Sequence, residues 1–424
     1  MSVWDRAHQS VGTRTNGHFG FIDQLRGVAI LLVFLCHCTA SFNLAFSMDL
    51  NDPLGFVAQV YSGKINVSQV IDFLCFYPCR MGWSGVAIFF VVSGFCIHLS
   101  YSQSGKPDLT AFYIRRFFRI YPPYLLAVLV FGLLFPYSRL DFDHWQNWMR
   151  LLSHLFLCNN LSEFLVGISA SYWTIPVEAQ LYLLFPVVLL LVRRYSFRRA
   201  LWIVGVVQFS LQITTALVFG LSHLPPLWIS ASPLYYWFSW SIGAAICDAY
   251  LKGKPSPWLK SSPWLWLLAA VATSGFAAHE FSFAFFALAT ASLLARRLTT
   301  ESAEEPLSLF GRFLRVTGTY SYSIYLVHQP IIVAVTESYK RLFPGLENNP
   351  WAAFFAALSS WLIIFPVAAL MYYLVEKPSI LLGKRLLKAL SQRWSNDPSG
   401  RRRVSQMFPR TKGLRLSSDS TRRP

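Results

Sequence analysis

Phe21–Cys38 reads FIDQLRGVAILLVFLCHC, and its reading decides the fold. It opens polar, with Asp23 and Arg26. It then enters an apolar run that continues to about Phe46, with one histidine, His37, well inside it. Arg26 and His37 are eleven residues apart. On a helix that spacing is about 16 Å of rise and about 20° beyond three whole turns. Both side chains therefore leave one face, the arginine near an interface and the histidine near mid-membrane. An ionisable group at that depth is costly in lipid and belongs on a protein-lined cavity. The remaining chain is expected to form the wall of that cavity.

Composition agrees with a membrane setting. The 424 residues are 54% hydrophobic and 13% charged, where soluble domains carry about 25% charged residues. The first 20 residues are polar and show no apolar signal-peptide core, so the first span is expected to stay as an uncleaved anchor. A net charge of +17 raises nucleic acid as a partner for a soluble protein. In a polytopic chain it reads as basic loops and tail facing the cytoplasm, with no nucleic-acid partner. The seven cysteines show no zinc spacing, and no metal is expected. Cys75 and Cys79 fall in a loop placed outside, where a disulfide is one option.

Ten spans are read at about 27–47, 83–101, 120–137, 173–192, 200–221, 233–251, 263–278, 280–296, 320–337 and 351–375, each near the ~20 residues needed to cross. With both termini inside, only Lys64, Arg80, Arg139, Arg150, Lys340 and Arg341 of the 37 basic residues fall on outer loops. Leu151–Cys158 is too short to cross. Counting it as a span would carry Arg193, Arg194, Arg198 and Arg199 outside, against the positive-inside bias. The expected fold is thus an all-α, polytopic transmembrane bundle. Residues 1–20 form a cytoplasmic N-terminal segment, 21–380 the transmembrane domain, and 381–424 a basic, largely disordered tail. The tail and loops meet membrane lipids.

Four constellations carry chemistry. In the first, removal from water disfavours a charged imidazole, so His37 is available as a general base. The same pair also fits a snorkelling arginine and a packed histidine. The second is FYIRRFFRIYPPY, 112–124. Arg115 and Arg119 share a helical face and Arg116 adjoins them, a set suited to phosphates or to plain positive-inside anchoring. Pro122 is expected to hold these arginines on a short segment ahead of the third span. The third is SASYWTIPVEAQLYLLFP, 169–186, where Glu178 stands in an apolar run. The fourth is GTYSYSIYLVHQP, 318–330, which places His328 in the same central layer as His37 and Glu178. Further candidates are Asp23, Ser93, Tyr124, Trp173 and Tyr325. Ser93 and Gly94, in GVAIFFVVSGF, suit close helix approach. Glu376-Lys377-Pro378 ends the last span.

These motifs, DQLRG leading to His37, GVAIFFVVSGF, RRFFRIYPPY, WTIPVEAQLYLLFP, YSYSIYLVHQP and VEKP, occur in one order over roughly 20–380. Together they resemble the integral-membrane acyltransferase-3 family of bacterial glycan and lipid O-acyltransferases. The chain departs from the family pattern at Gln24, at Ala87 and at Thr174-Ile175-Pro176. The resemblance implies an acyl-CoA donor, most simply acetyl-CoA, entering from the cytoplasm. It implies a glycan or lipid-linked saccharide acceptor, and transfer by this core alone or with a separate polysaccharide-assembly partner. In that reading Arg115, Arg116 and Arg119 bind the donor and Arg26 stabilises charge. His37 acts as base or acyl-imidazole relay, and Glu178 orients the histidine or the sugar. Competing readings are a transporter or flippase using the buried charges as a path, and the same chemistry on a small metabolite such as a macrolide sugar or with succinyl or longer acyl groups.

Overall fold

The computed structural model describes residues 3–40, 53–102, 108–220, 225–275, 279–299 and 307–396, and among them there is no strand. The helices in chain order are α1 (Val3–Ala40), α2 (Pro53–Tyr61), α3 (Val67–Arg80), α4 (Gly85–Ser102), α5 (Leu109–Leu129) and α6 (Trp145–Leu155). They continue with α7 (Thr174–Arg194), α8 (Phe197–Phe219), α9 (Leu227–Ser230), α10 (Trp237–Leu251), α11 (Pro263–Gly275) and α12 (His279–Thr299). The last are α13 (Leu309–Thr319), α14 (Ser321–Leu342), α15 (Pro350–Ser359), α16 (Trp361–Met371) and α17 (Lys377–Asn396). The central part of each of the ten expected spans falls on helix, while 135–137 and Gly220 do not; 41–47, 221 and 276–278 lie outside the described residues. Seven helical segments among the described residues are long and apolar enough to cross a membrane. The short helix read at 151–158 belongs to α6, which ends at Leu155.

Two close crossings set the frame around α1 and α4. A methyl group at Gly94 would collide with the Trp240 carbonyl oxygen, and one at Gly243 with that of Val91. Small residues let the backbones of α4 and α10 meet, as expected for helices whose association is driven by packing. A methyl group at Gly27 would collide with the Leu314 carbonyl, and one at Gly318 with that of Asp23. This second crossing clamps α13 to α1 on either side of Arg26.

Two expectations change, the separate segment for the arginines and the loop placement of Cys75 and Cys79, which lie on α3. The arginines do not sit on a separate segment: α5 runs unbroken from Leu109 to Leu129 through Pro122 and Pro123. The prolines remove the N–H groups that would bond the carbonyls of Phe118 and Arg119. Tertiary contacts support the turn: Tyr322 Oη donates to the Ile120 carbonyl at 2.8 Å and Tyr121 Oη to the Leu155 carbonyl at 3.0 Å. The N-terminal stretch is helical from Val3, continuous with α1. At the other end α17 extends the chain as helix to Asn396; the rest of the tail lies outside the described residues. Cys75 and Cys79 are both free thiols. They are stacked one turn apart on α3, with Cys79 Sγ directed at the Cys75 carbonyl at 3.8 Å.

Candidate active site

A cavity of about 90 Å³ opens among α1, α4, α5, α7 and α14. Its wall includes Arg26, Ser93, Cys96, Arg116, Arg119, Thr174, Glu178, Tyr182, Tyr322 and Tyr325. At 10–15 Å³ per water centre it holds a handful of waters.

Arg26 comes from α1, one turn after Asp23. Its Nη1 lies 3.3 Å from Asp23 Oδ1, and Nη2 reaches Cys96 Sγ at 3.5 Å. Across the cavity, Glu178 receives Ser93 Oγ at 2.9 Å and Tyr182 Oη at 2.5 Å, both on Oε1. Trp240 Nε1 donates in turn to Ser93 Oγ at 3.3 Å. The Gly94–Gly243 crossing is what allows this relay, because it brings Trp240 of α10 alongside Ser93 of α4. Among the described residues Oε2 of Glu178 receives no donor. Arg116 lies over the Tyr182 ring, 5.8 Å from its centroid, and its Nε has no hydrogen-bond partner among the described residues. Arg119 Nη1 stands 3.9 Å from Oε1 of Glu376.

His37 does not line this cavity; a chain of rings connects it. Tyr325 lines the wall and packs on His328 with ring centroids 5.4 Å apart. His328 meets His37 edge-on at 4.9 Å. His328 is fully buried. Its Nδ1 lies 2.7 Å from the Tyr325 carbonyl, which can only accept, so the proton is assigned to Nδ1. Nε2 of His328 is then an acceptor. It faces His37 Nδ1 at 3.4 Å, and that nitrogen also lies 2.9 Å from the Val33 carbonyl. Both partners of His37 Nδ1 accept, so it carries the proton and the lone pair falls on Nε2. Tyr325 is pinned in place: its Oη receives Thr174 Oγ1 at 2.6 Å and donates to the Ser171 carbonyl at 2.5 Å.

The structure thus gathers Arg26, Ser93, Arg116, Arg119, Glu178 and Tyr325 on one cavity, with Asp23 behind Arg26 and the two histidines beyond Tyr325. It leaves others elsewhere. Arg115 does not line the cavity, and its Nε and Nη2 are buried without hydrogen-bond partners among the described residues; Arg116 and Arg119, three apart, share the inward face instead. Tyr124 is buried with its hydroxyl 3.4 Å from Asn159 Oδ1, and Trp173 packs on Tyr236 with centroids 5.9 Å apart. Glu178 bonds Ser93 and Tyr182, and neither histidine is among its partners. Tyr182 was legible in principle, being one helical turn beyond Glu178. Trp240, Cys96 and Tyr322 arrive by tertiary packing and leave no local signal. No group of three or more His, Cys, Asp or Glu side chains able to hold a metal occurs among the described residues.

Comparison with known proteins identifies the fold's lineage. An acyltransferase-domain family model, that of acyltransferase 3, matches residues 19–370. The protein named acyltransferase MdmB from Streptomyces mycarofaciens is 25% identical over 355 residues, which is 78% of this chain and 89% of that protein. The O-acetyltransferase OatA of Staphylococcus aureus is 27% identical over 300 residues, 61% of this chain but 47% of OatA, so the match spans about half of that protein. No solved structure matches. The match over most of its length, on an all-helical membrane scaffold, places the chain in the acyltransferase-3 family, as a multi-pass membrane acyltransferase.

Proposed function

We propose that the protein transfers an acyl group, acetyl in the simplest case, from acyl-CoA to a hydroxyl of a saccharide at a bacterial inner membrane, with ten spans and both termini in the cytoplasm. The observation that carries the reading is the convergence of Arg26, Arg116 and Arg119 on the cavity that Glu178 and Tyr325 also line, with the His37–His328 pair next to Tyr325. Three guanidinium groups in a poorly hydrated site suit the phosphates of coenzyme A. The basic ends of α1 and α5 face the cytoplasm in this topology, where the donor is made. The names of MdmB and OatA, an acyltransferase and an O-acetyltransferase, support an ester as the product.

In this mechanism Nε2 of His37 takes the proton of the acceptor hydroxyl as its oxygen attacks the thioester carbonyl carbon. The carbon–sulfur bond breaks. The coenzyme A thiolate leaves and receives that proton from the imidazolium. Arg26 stands at the inner end of the site as the counter-charge for phosphate or for the developing oxyanion. Glu178, held by Ser93 and Tyr182, offers Oε2 to a sugar hydroxyl. Tyr325 and His328 connect the cavity with the reacting nitrogen, and the acyl end of the donor passes along them.

The test is reconstitution of the purified chain in vesicles with radiolabelled acetyl-CoA, paired with mass spectrometry of surface glycans from a deletion strain. Label moving to saccharide, and an acetyl ester missing from the deletion strain, are the expected results. A protein that neither consumes acetyl-CoA nor alters any glycan would overturn the assignment.

A further inference from the structure

We propose that Glu376 is a positioning residue for Arg119 and through it sets how strongly the cavity takes the donor's phosphates. The inference rests on the acyl-CoA reading above and goes beyond it, because Glu376 does not line the cavity and, among the described residues, its ion-pair and hydrogen-bond partners are Arg119 and Ser323.

The carboxylate is 1% exposed. Oε2 accepts Ser323 Oγ at 2.7 Å, while Oε1 has no hydrogen bond among the described residues. A buried carboxylate in that state is costly unless an opposite charge answers it. Among the described residues Arg119 is the cation within ion-pair distance, at 3.9 Å. That separation is too long for a hydrogen bond. The pair therefore attracts without using up the donors of the guanidinium, whose side chain stays 35% exposed on the cavity. Arg119 is aimed from behind and left free to bond in front.

The backbone is built for this contact. Tyr372–Glu376 is a single π-helical turn between α16 and α17. Such a turn inserts one residue into the helix and re-aims the side chains after it. Beyond it, α17 packs on α5 at the point where Gly383 meets the Phe118 side chain, one residue before Arg119. Ser323 brings α14, whose Ser321, Tyr322 and Tyr325 line the same cavity. Three helices thus meet at one carboxylate behind one arginine.

The experiment compares acetyl-CoA with acetyl-pantetheine, a thioester without the nucleotide phosphates, using the full chain in vesicles. Glu376→Gln is expected to raise KM for acetyl-CoA about tenfold, the size of one lost charge-assisted contact. The same variant leaves kcat and the KM for acetyl-pantetheine unchanged. Glu376→Asp, which keeps the charge but retracts it, falls between and carries the test if the Gln variant does not fold. Arg119→Gln gives the same selective loss, and adding Glu376→Gln to it costs little more, since the two act as one unit. Equal losses with both donors, or an unchanged KM for acetyl-CoA in both Glu376 variants, would sink the proposal. A wild-type protein that uses acetyl-pantetheine as well as acetyl-CoA refutes the donor reading instead, so the two failures are told apart.

Discussion

Nδ1 of His37 and Nε2 of His328 face each other at 3.4 Å, one imidazole edge-on to the other. Because His328 is turned by the Tyr325 carbonyl to present a lone pair, it can only accept from His37. That contact selects the tautomer in which His37 Nε2 is basic. His37→Ala is expected to lower kcat by about 10²–10⁴-fold with normal membrane levels. His328→Phe should lower kcat about tenfold, the cost of one lost orienting hydrogen bond, with little change in donor KM. His328→Gln, whose amide oxygen can accept, should recover part of it. Steady-state kinetics on the three variants decides this, and unaltered kcat in His328→Phe would reject the orienting role.

Glu178 depends on its two donors. Tyr182→Phe removes the 2.5 Å contact and Ser93→Ala the 2.9 Å contact, each on the same oxygen. Either change frees the carboxylate to swing. Each is expected to raise acceptor KM about tenfold or more, at about 1.5–3 kcal/mol per hydrogen bond to a carboxylate, leaving donor KM in place. Acceptor-saturation curves measure it.

The α4–α10 crossing leaves no room for a side chain. Gly94→Ala or Gly243→Ala must part the two backbones, at about 1–3 kcal/mol of overpacking. The same movement pulls Trp240 off Ser93. Lower thermal stability and lower turnover should appear together, read by fluorescence-detected melting and by transfer assays on the same preparations.

Outside the spans, His154 on α6 gives a pH dependence with a definite sign. It is buried, its Nδ1 bonds the Arg150 carbonyl at 2.8 Å, and its Nε2 has no partner among the described residues. Burial lowers its pKa from 6.5 to about 4. The unfolded chain then binds more protons than the folded one between those values, so stability falls as pH drops from 6.5 to about 4 and levels off below. The size is about 3 kcal/mol. Melting curves of wild type and His154→Phe between pH 4 and 7 should diverge on the acid side; parallel curves would contradict this.

The sequence pattern disclosed the bundle because apolar length and the placement of basic residues are local quantities. It singled out Arg26, Arg116, Arg119 and Glu178, which line one cavity, because a charge beside or within an apolar run has few explanations. It misjudged the backbone at Pro122, where contacts from Tyr322 and Tyr121 support a helix that local rules would end. It also grouped Arg115 with Arg119 by a four-residue spacing, whereas the cavity takes Arg116 and Arg119 at three. Trp240, Cys96 and the pairing of Glu376 with Arg119 join residues more than a hundred positions apart, apart from Cys96 and Arg26 at seventy. Only the packed structure can bring such partners together.

The 90 Å³ chamber has a consequence for what the protein admits. On the acyl-CoA reading proposed above, adenine and ribose would stay at the mouth, the phosphates would lie against Arg26, Arg116 and Arg119, and the slender thioester arm would thread inward. Such a gate measures girth and length at once. On that reading short acyl tails would pass, and each added methylene would have to press on Phe89, Phe90 or Tyr325 on the wall.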